Sequence, residues 1–385
     1  MSDIATGEDV RSSGSFLEEL DRLVAEVIEP AAAQVDARGE FPTASIDALR
    51  RGGMLGLVSA ADVGGRGGDL RAATFAVQRV ARGCASTAMV LCMHYVGTAV
   101  LEIHGPREVR EEIATGQHLT TLALSEVGSR GQFWVPVSSA RLENGRIRLD
   151  ARKSWITSAR EADSYVWSSR PTIGDNPMSL WLVPSETGGL SVTAPFDGLG
   201  LRGNDSCPVA ADGVVLPAGA ILGGDGSGAD IVMGVVLPWF QLLTAAHAVG
   251  TMEAATAKAV AHVIATRFQH TGSSLADLPT IRAYVARMQI ITLQSRALLL
   301  DTLAAIDAGD SGAQLKVLSV KAGAGEAVTQ VTDLAMRVCG GAAFRREVGV
   351  ERHFRDARAA TVMAPTTDVL YDFIGRAVCG LPLVD

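Results

Sequence analysis

The chain has 385 residues, 48% of them hydrophobic and 20% charged, with a formal net charge of -8. This length predicts two or three packed domains rather than one simple core. The apolar content excludes a disordered chain, and the acidic balance argues against a nucleic-acid surface. Five cysteines, Cys84, Cys92, Cys207, Cys339 and Cys379, form no CxxC pair and no compact ligand cluster. They fit free thiols in a reducing compartment, so a cytoplasmic protein without metal is expected. The N-terminus lacks the basic and apolar regions of a signal peptide. No uninterrupted apolar run reaches about 18 residues, the length that spans a bilayer, so no membrane segment is expected.

Three composition zones follow one another. Residues 14 to about 118 carry apolar side chains at helical spacing, as in Phe16, Leu17, Leu20, Leu23, Val24 and Val27. The segment Val63-Gly64-Gly65-Arg66-Gly67-Gly68 breaks that pattern and reads as a loop. From about 119 to 230 the chain changes to short apolar runs bounded by turn residues: Leu119 to Leu124, Arg146 to Leu149, Ser164 to Trp167, Ser179 to Val183 and Val214 to Leu216. Repeated short strands predict a small β-barrel or sandwich. After Gly224-Asp225-Gly226-Ser227-Gly228, long Ala-rich stretches predict helices over Leu242 to Arg267, Ile281 to Ala308 and Gln314 to Val338, packed as an antiparallel bundle. The expected fold is α+β: an N-terminal α-helical domain (1-118), a central β-barrel domain (119-232) and a C-terminal four-helix bundle (233-385). No helix–strand alternation, GxGxxG or Walker A sequence supports a nicotinamide site or nucleotide hydrolysis.

Within the β zone, Lys153-Ser154-Trp155-Ile156-Thr157-Ser158 places a Trp two residues before a Thr. On one face of a strand these would offer a flat ring beside a hydroxyl, suited to a planar cofactor, although a core Trp is the commoner use of such a side chain. This segment resembles the K-x-W-I-T-N stretch of acyl-CoA dehydrogenases. Other segments agree in order: Asp62-Val63-Gly64-Gly65, Leu124-Ser125-Glu126-Val127-Gly128 (L-T-E-P-G), Gly198 to Gly203 (M-G-x-R-G), Ala246 to Gly250, Gly340-Gly341 and Arg355-Asp356-Ala357-Arg358 (R-D-A-R). The resemblance runs from about residue 15 to 379.

The resemblance implies FAD as cofactor and an acyl thioester, on CoA or a carrier protein, as substrate. It implies that Leu124 and Ser125 meet the flavin through backbone and hydroxyl, and that Trp155 and Thr157 flank its ring. Arg267, in Arg267-Phe268-Gln269-His270, would reach the pyrophosphate from a neighbouring subunit, with Gln269, Gly341, Thr366 and Asp368 as further cofactor neighbours. A homodimer or homotetramer follows. Two positions depart from the family pattern: Arg337 replaces a Gln, and His270 a Phe.

The acyl site departs further. Removing a proton beside a thioester carbonyl needs a base within hydrogen-bond reach. The resemblance puts that glutamate at Ala364, or in a minority of members at Phe240, and neither residue can take a proton. Asp368, His247 and His94 are the candidate replacements, with core packing the expected role of the two histidines. Gly131 stands where a Ser usually touches the thioester, and Pro238, Trp239 and Phe240 replace a charged pantetheine wall by an apolar one. Arg130, on a Gly-rich loop, could contact a substrate carboxylate or a phosphopantetheine phosphate. The expectation is a flavin-dependent oxidoreductase of acyl thioesters with non-standard chemistry. Oxidation coupled to loss of carbon dioxide or sulfite, monooxygenation, a relocated base and a non-redox scaffold are the alternatives.

Overall fold

The computed structural model describes residues 16-129 and 131-382. The N-terminal part is helical: a run over 16-38, then Thr43–Arg51, Leu70–Gly83, Ala85–His104 and Arg107–Ala114. The Gly-rich segment between them is a tight loop that needs glycine at Gly65, where a Cβ would sit 2.1 Å from the Ser59 carbonyl oxygen.

Eight strands follow: β1 (Thr120–Ala123), β2 (Ser139–Glu143), β3 (Arg146–Ile156), β4 (Ser164–Ser169), β5 (Ser179–Pro184), β6 (Leu190–Val192), β7 (Cys207–Pro217) and β8 (Ile221–Leu222). They form two four-stranded sheets, in the orders β1-β4-β5-β8 and β2-β3-β7-β6. The expected barrel is therefore corrected to two open sheets. They share a core of Ile147, Leu149, Trp167, Trp181 and Val209. They touch where the chain leaving β1 runs beside the end of β3: the Ser154 N–H donates to the Ser125 carbonyl and the Val127 N–H to the Arg152 carbonyl, both at 3.0 Å. Short alternating strands read the same in a barrel and in two packed sheets, which is why the pattern alone did not separate them.

The C-terminal part packs Leu237–Ala265, Pro279–Asp307, Ala313–Cys339 and Thr367–Val378, with shorter helices at Val350–Ala357 and Ala359–Val362. Leu237–Ala265 continues a helical run that begins at Gly228 and passes through a π-helical turn at Val232–Val236. Ala85–His104 and Gly228–Ala265 are long and apolar enough to cross a bilayer, but 83% and 72% of their most apolar windows are buried inside the protein. They are the central helices of the core.

Two buried histidines lie on these central helices. His94 Nε2 donates to the Leu55 carbonyl at 3.0 Å, and its Nδ1 accepts the Thr120 N–H at 3.2 Å. His247 Nε2 donates to the Ala85 carbonyl at 3.0 Å. Burial pulls both rings down to about 4. The unfolded chain takes up protons near pH 6.5 and the folded chain does not, so this part of the stability is complete above pH 6.5 and is lost as the pH falls toward 4. Each ring accounts for about 3 kcal/mol over that window. Urea midpoints measured from pH 7 to 4 are expected to fall steeply, and a His94→Gln/His247→Gln double variant to flatten the curve. An unchanged slope in that variant would rule the two rings out as its source.

Candidate functional site

A cleft of about 790 Å³ opens where the three parts meet, a volume suited to a large ligand. From the β part it is lined by Leu124, Ser125, Trp155 and Thr157, from the bundle by Phe240, Ala364 and Thr366, and from the N-terminal helices by Met93. Seven residues that sequence reasoning singled out thus meet in one space. Arg267, Gln269, Gly341 and Asp368 are exposed and lie outside its lining. Arg130 lies outside the described residues.

Local backbone geometry, and not strand alternation, exposes the aromatic wall. Along β3 the odd-numbered residues Ile147, Leu149, Ala151 and Lys153 point inward, and the same period would bury Trp155. The register of β3 against β7 shifts between Lys153 and Ile156, and Trp155 takes a left-handed φ of +60°. The indole is turned out, 72% exposed, into the concave site. Thr157 lies beyond the strand and is buried, its Oγ1 3.1 Å from Ser206 Oγ. The expectation that Trp155 and Thr157 share a strand face is therefore corrected: a bulge brings both to the cleft.

A buried ion pair anchors that bulge. Lys153 Nζ donates to Glu126 Oε1 at 2.6 Å and to the Ser168 carbonyl at 2.7 Å, and it lies 5.1 Å from the Trp167 ring centroid. Glu126 also accepts the backbone N–H groups of Val137 and Ser138 at 2.7 and 2.8 Å. Burial alone would push the Glu126 carboxyl up, but the Lys153 ammonium and the Ser138 donors outweigh it and hold the carboxyl below its usual range.

The R-D-A-R segment also lines the cleft, through Arg355 and Arg358. Arg355 pairs with Asp36 and Glu351, both at 2.6 Å, while Asp356 accepts the Leu201 N–H at 2.6 Å. Gly200 lets the two segments close, because a Cβ there would lie 2.4 Å from the Arg355 carbonyl. Leu199 and Val362, 67% and 69% exposed, leave apolar surface at the cleft rim beside Trp155. Exposed apolar side chains in a concavity fit a flat aromatic ligand.

Three family models match the chain: Acyl-CoA dehydrogenase, N-terminal domain over residues 13-116, middle domain over 121-214 and C-terminal domain over 226-379. The chain belongs to the acyl-CoA dehydrogenase family. Its similarity includes the human mitochondrial short-chain specific acyl-CoA dehydrogenase, 30% identical over 349 residues, which cover 88% of this chain and 83% of that protein. Among solved structures, butyryl-CoA dehydrogenase from Megasphaera elsdenii superposes with a TM-score of 0.89 at 23% identity, covering 98% of this chain and 100% of that one. The prolyl acyl carrier protein oxidase AnaB has the same fold, with a TM-score of 0.84 at 18% identity and coverage of 97% and 100%. Proteins of the acyl-CoA dehydrogenase family are FAD-dependent.

Against that family background the cleft of this acyl-CoA dehydrogenase family member is poor in bases. Among its described lining residues the one carboxylate is Asp197, whose side chain is 92% exposed and sits 3.6 Å from Arg202. His94 and His247 do not line the cleft, and both ring nitrogens of His94 are already bonded to backbone. Asp368 is exposed and outside the lining as well. Arg337, at the departure from the family pattern, donates to Tyr284 Oη at 2.8 Å and stacks over that ring. Sequence reasoning missed Glu126 as a support of the β3 bulge. The inward position of Lys153 on β3 was the available signal, since a buried ammonium is costly without a partner.

Proposed function

We propose that this chain is an FAD-dependent oxidoreductase of acyl thioesters whose proton step runs from neither position where the family resemblance puts a carboxylate. One observation carries the reading: the cleft presents Trp155, Thr157 and Thr366 for a flat cofactor, while Phe240 and Ala364 face the same space with no acid–base group. Leu124 and Ser125 would hold the ring edge by backbone and hydroxyl, Trp155 and Thr157 its face, and Thr366 its polar chain. Arg267, with Gln269, Gly341 and Asp368, would serve the phosphate end of a neighbouring subunit's cofactor, in a homodimer or homotetramer. Exposure of all four on the single chain supports that reading. Bound FAD supplies a hydride acceptor.

The residues of this chain then orient and desolvate the substrate. Phe133, Val236, Leu237 and Phe240 form an apolar wall. Thr244 and His247, one and two turns beyond Phe240, are not part of the lining. The acyl space therefore ends at Phe240, and a short acyl group on CoA or a carrier protein fits it. Charge on the acyl α-carbon must arise without a carboxylate at 364 or 240, as in oxidation coupled to loss of carbon dioxide or sulfite.

Reconstitution tests the cofactor half of this reading. Protein incubated with FAD and desalted is expected to stay yellow, and Trp155→Ala to bind FAD about tenfold more weakly, the order of one lost aromatic stack. Wild-type protein that keeps no flavin after reconstitution would overturn the proposal.

A further inference from the structure

Only four lysines occur in this chain, and two of them, Lys153 and Lys321, are buried. Lys153 is matched by Glu126; Lys321 has no carboxylate within hydrogen-bond reach among the described residues. From the helix Ala313–Cys339, its Nζ donates to the Met363 carbonyl at 2.8 Å and to the Pro365 carbonyl at 2.7 Å. Those carbonyls bracket Ala364. Among the described residues no other side chain bonds to the backbone of 363-365, the link between Ala359–Val362 and Thr367–Val378. That link and its flanks give the cleft Val362, Met363, Ala364 and Thr366.

We propose that Lys321 is a positioning residue: its two hydrogen bonds fix the loop 363-366 at the height where residue 364 and Thr366 meet the acyl group and the cofactor. The identity of the donor supports this. A lysine placed only for packing would serve better as Met or Leu, because burying an ammonium without a countercharge is costly. Here burial pulls the amine down to about 7, and the two carbonyl dipoles are what it receives in return. Gly325, one turn along the same helix, keeps the loop close: a Cβ there would lie 3.2 Å from the Ala360 carbonyl and 3.4 Å from Thr367 Oγ1.

The role of the loop at the acyl group rests on the functional reading above; the anchoring of its backbone does not. Two measurements on the full-length protein keep these apart. Amide hydrogen exchange of 362-370, with or without FAD, is expected to quicken about tenfold or more in Lys321→Met, as the loss of two bonds from a charged donor implies, with the middle part unaffected. In FAD-loaded protein, the flavin spectral shift caused by the thioether analogue of butyryl-CoA is expected to need about tenfold more ligand in Lys321→Met and to recover in Lys321→Arg, which can donate twice. Wild-type exchange together with wild-type affinity in Lys321→Met would overturn the proposal. Should Lys321→Met fail to fold, Lys321→Gln carries the same comparison with the same two outcomes. A wild-type protein that takes up no FAD would sink the functional reading, while the exchange comparison would still decide the anchoring.

Discussion

Ala364→Glu is expected to speed anaerobic reduction of the bound flavin by a butyryl thioester about 100- to 10,000-fold over wild type, the range a positioned general base contributes. Residue 364 lines the cleft from a backbone held on both sides by Lys321, so a side chain introduced there starts from a fixed point. Met363, Phe240 and Leu237 line the same cleft and are apolar. Desolvation in such a site raises a carboxyl pKa and makes its anion a stronger base. The rate in the variant should therefore climb with pH through that raised pKa and level off above it, whereas the wild-type rate has no such limb. Stopped-flow absorbance of the flavin band checks both points. A variant no faster than wild type would show that the acyl α-carbon does not sit at residue 364.

The second large effect concerns stability and the aromatic wall together. Lys153→Met leaves the Glu126 carboxylate buried, with its backbone and Ser138 donors but without its cation. Breaking a buried pair from one side costs about 3–5 kcal/mol, much of it the uncompensated charge that remains. Glu126 and Lys153 also pair across the junction that presents Ser125 and Trp155, so FAD affinity should fall with stability. The double variant Glu126→Gln/Lys153→Met removes the stranded charge and is expected to recover part of the loss, a non-additivity typical of contacting groups. Urea unfolding of wild type, Lys153→Met, Glu126→Gln and the double variant measures it. A single-variant loss below about 1 kcal/mol would mean that the pair contributes no more than a surface ion pair.

Much of this architecture could be read from residue order. The helical spacing of Phe16 to Val27, the short apolar runs from 119 and the Ala-rich stretches after Gly228 give three zones that the structure also has. The helix expected to end at Arg267 stops at Ala265, where Thr266 turns extended, so Arg267 lies beyond it, bridged to Ser274. Strands β2 and β6 escaped notice because few of their residues are buried, and β8 because it has only two residues. The orientation of Trp155 was hidden for a different reason: a bulge reverses the face of a strand, and nothing in a two-residue period announces it. Lys321 lies 42 residues from Met363 in sequence, a separation at which no local pattern records the contact. Arg267, Gln269, Gly341 and Asp368 are exposed and lie outside the lining of the described cleft.

The central claim is that the cleft keeps the equipment for flavin and thioester and lacks the base for a plain α-proton. Anaerobic mixing of FAD-loaded wild-type protein with a saturated, uncharged short-chain acyl thioester tests it most directly. The flavin band is predicted to shift as the ligand binds and to stay unbleached, while Ala364→Glu bleaches under the same conditions. Wild-type bleaching as fast as that of Ala364→Glu would contradict the claim and place a working base in the cleft.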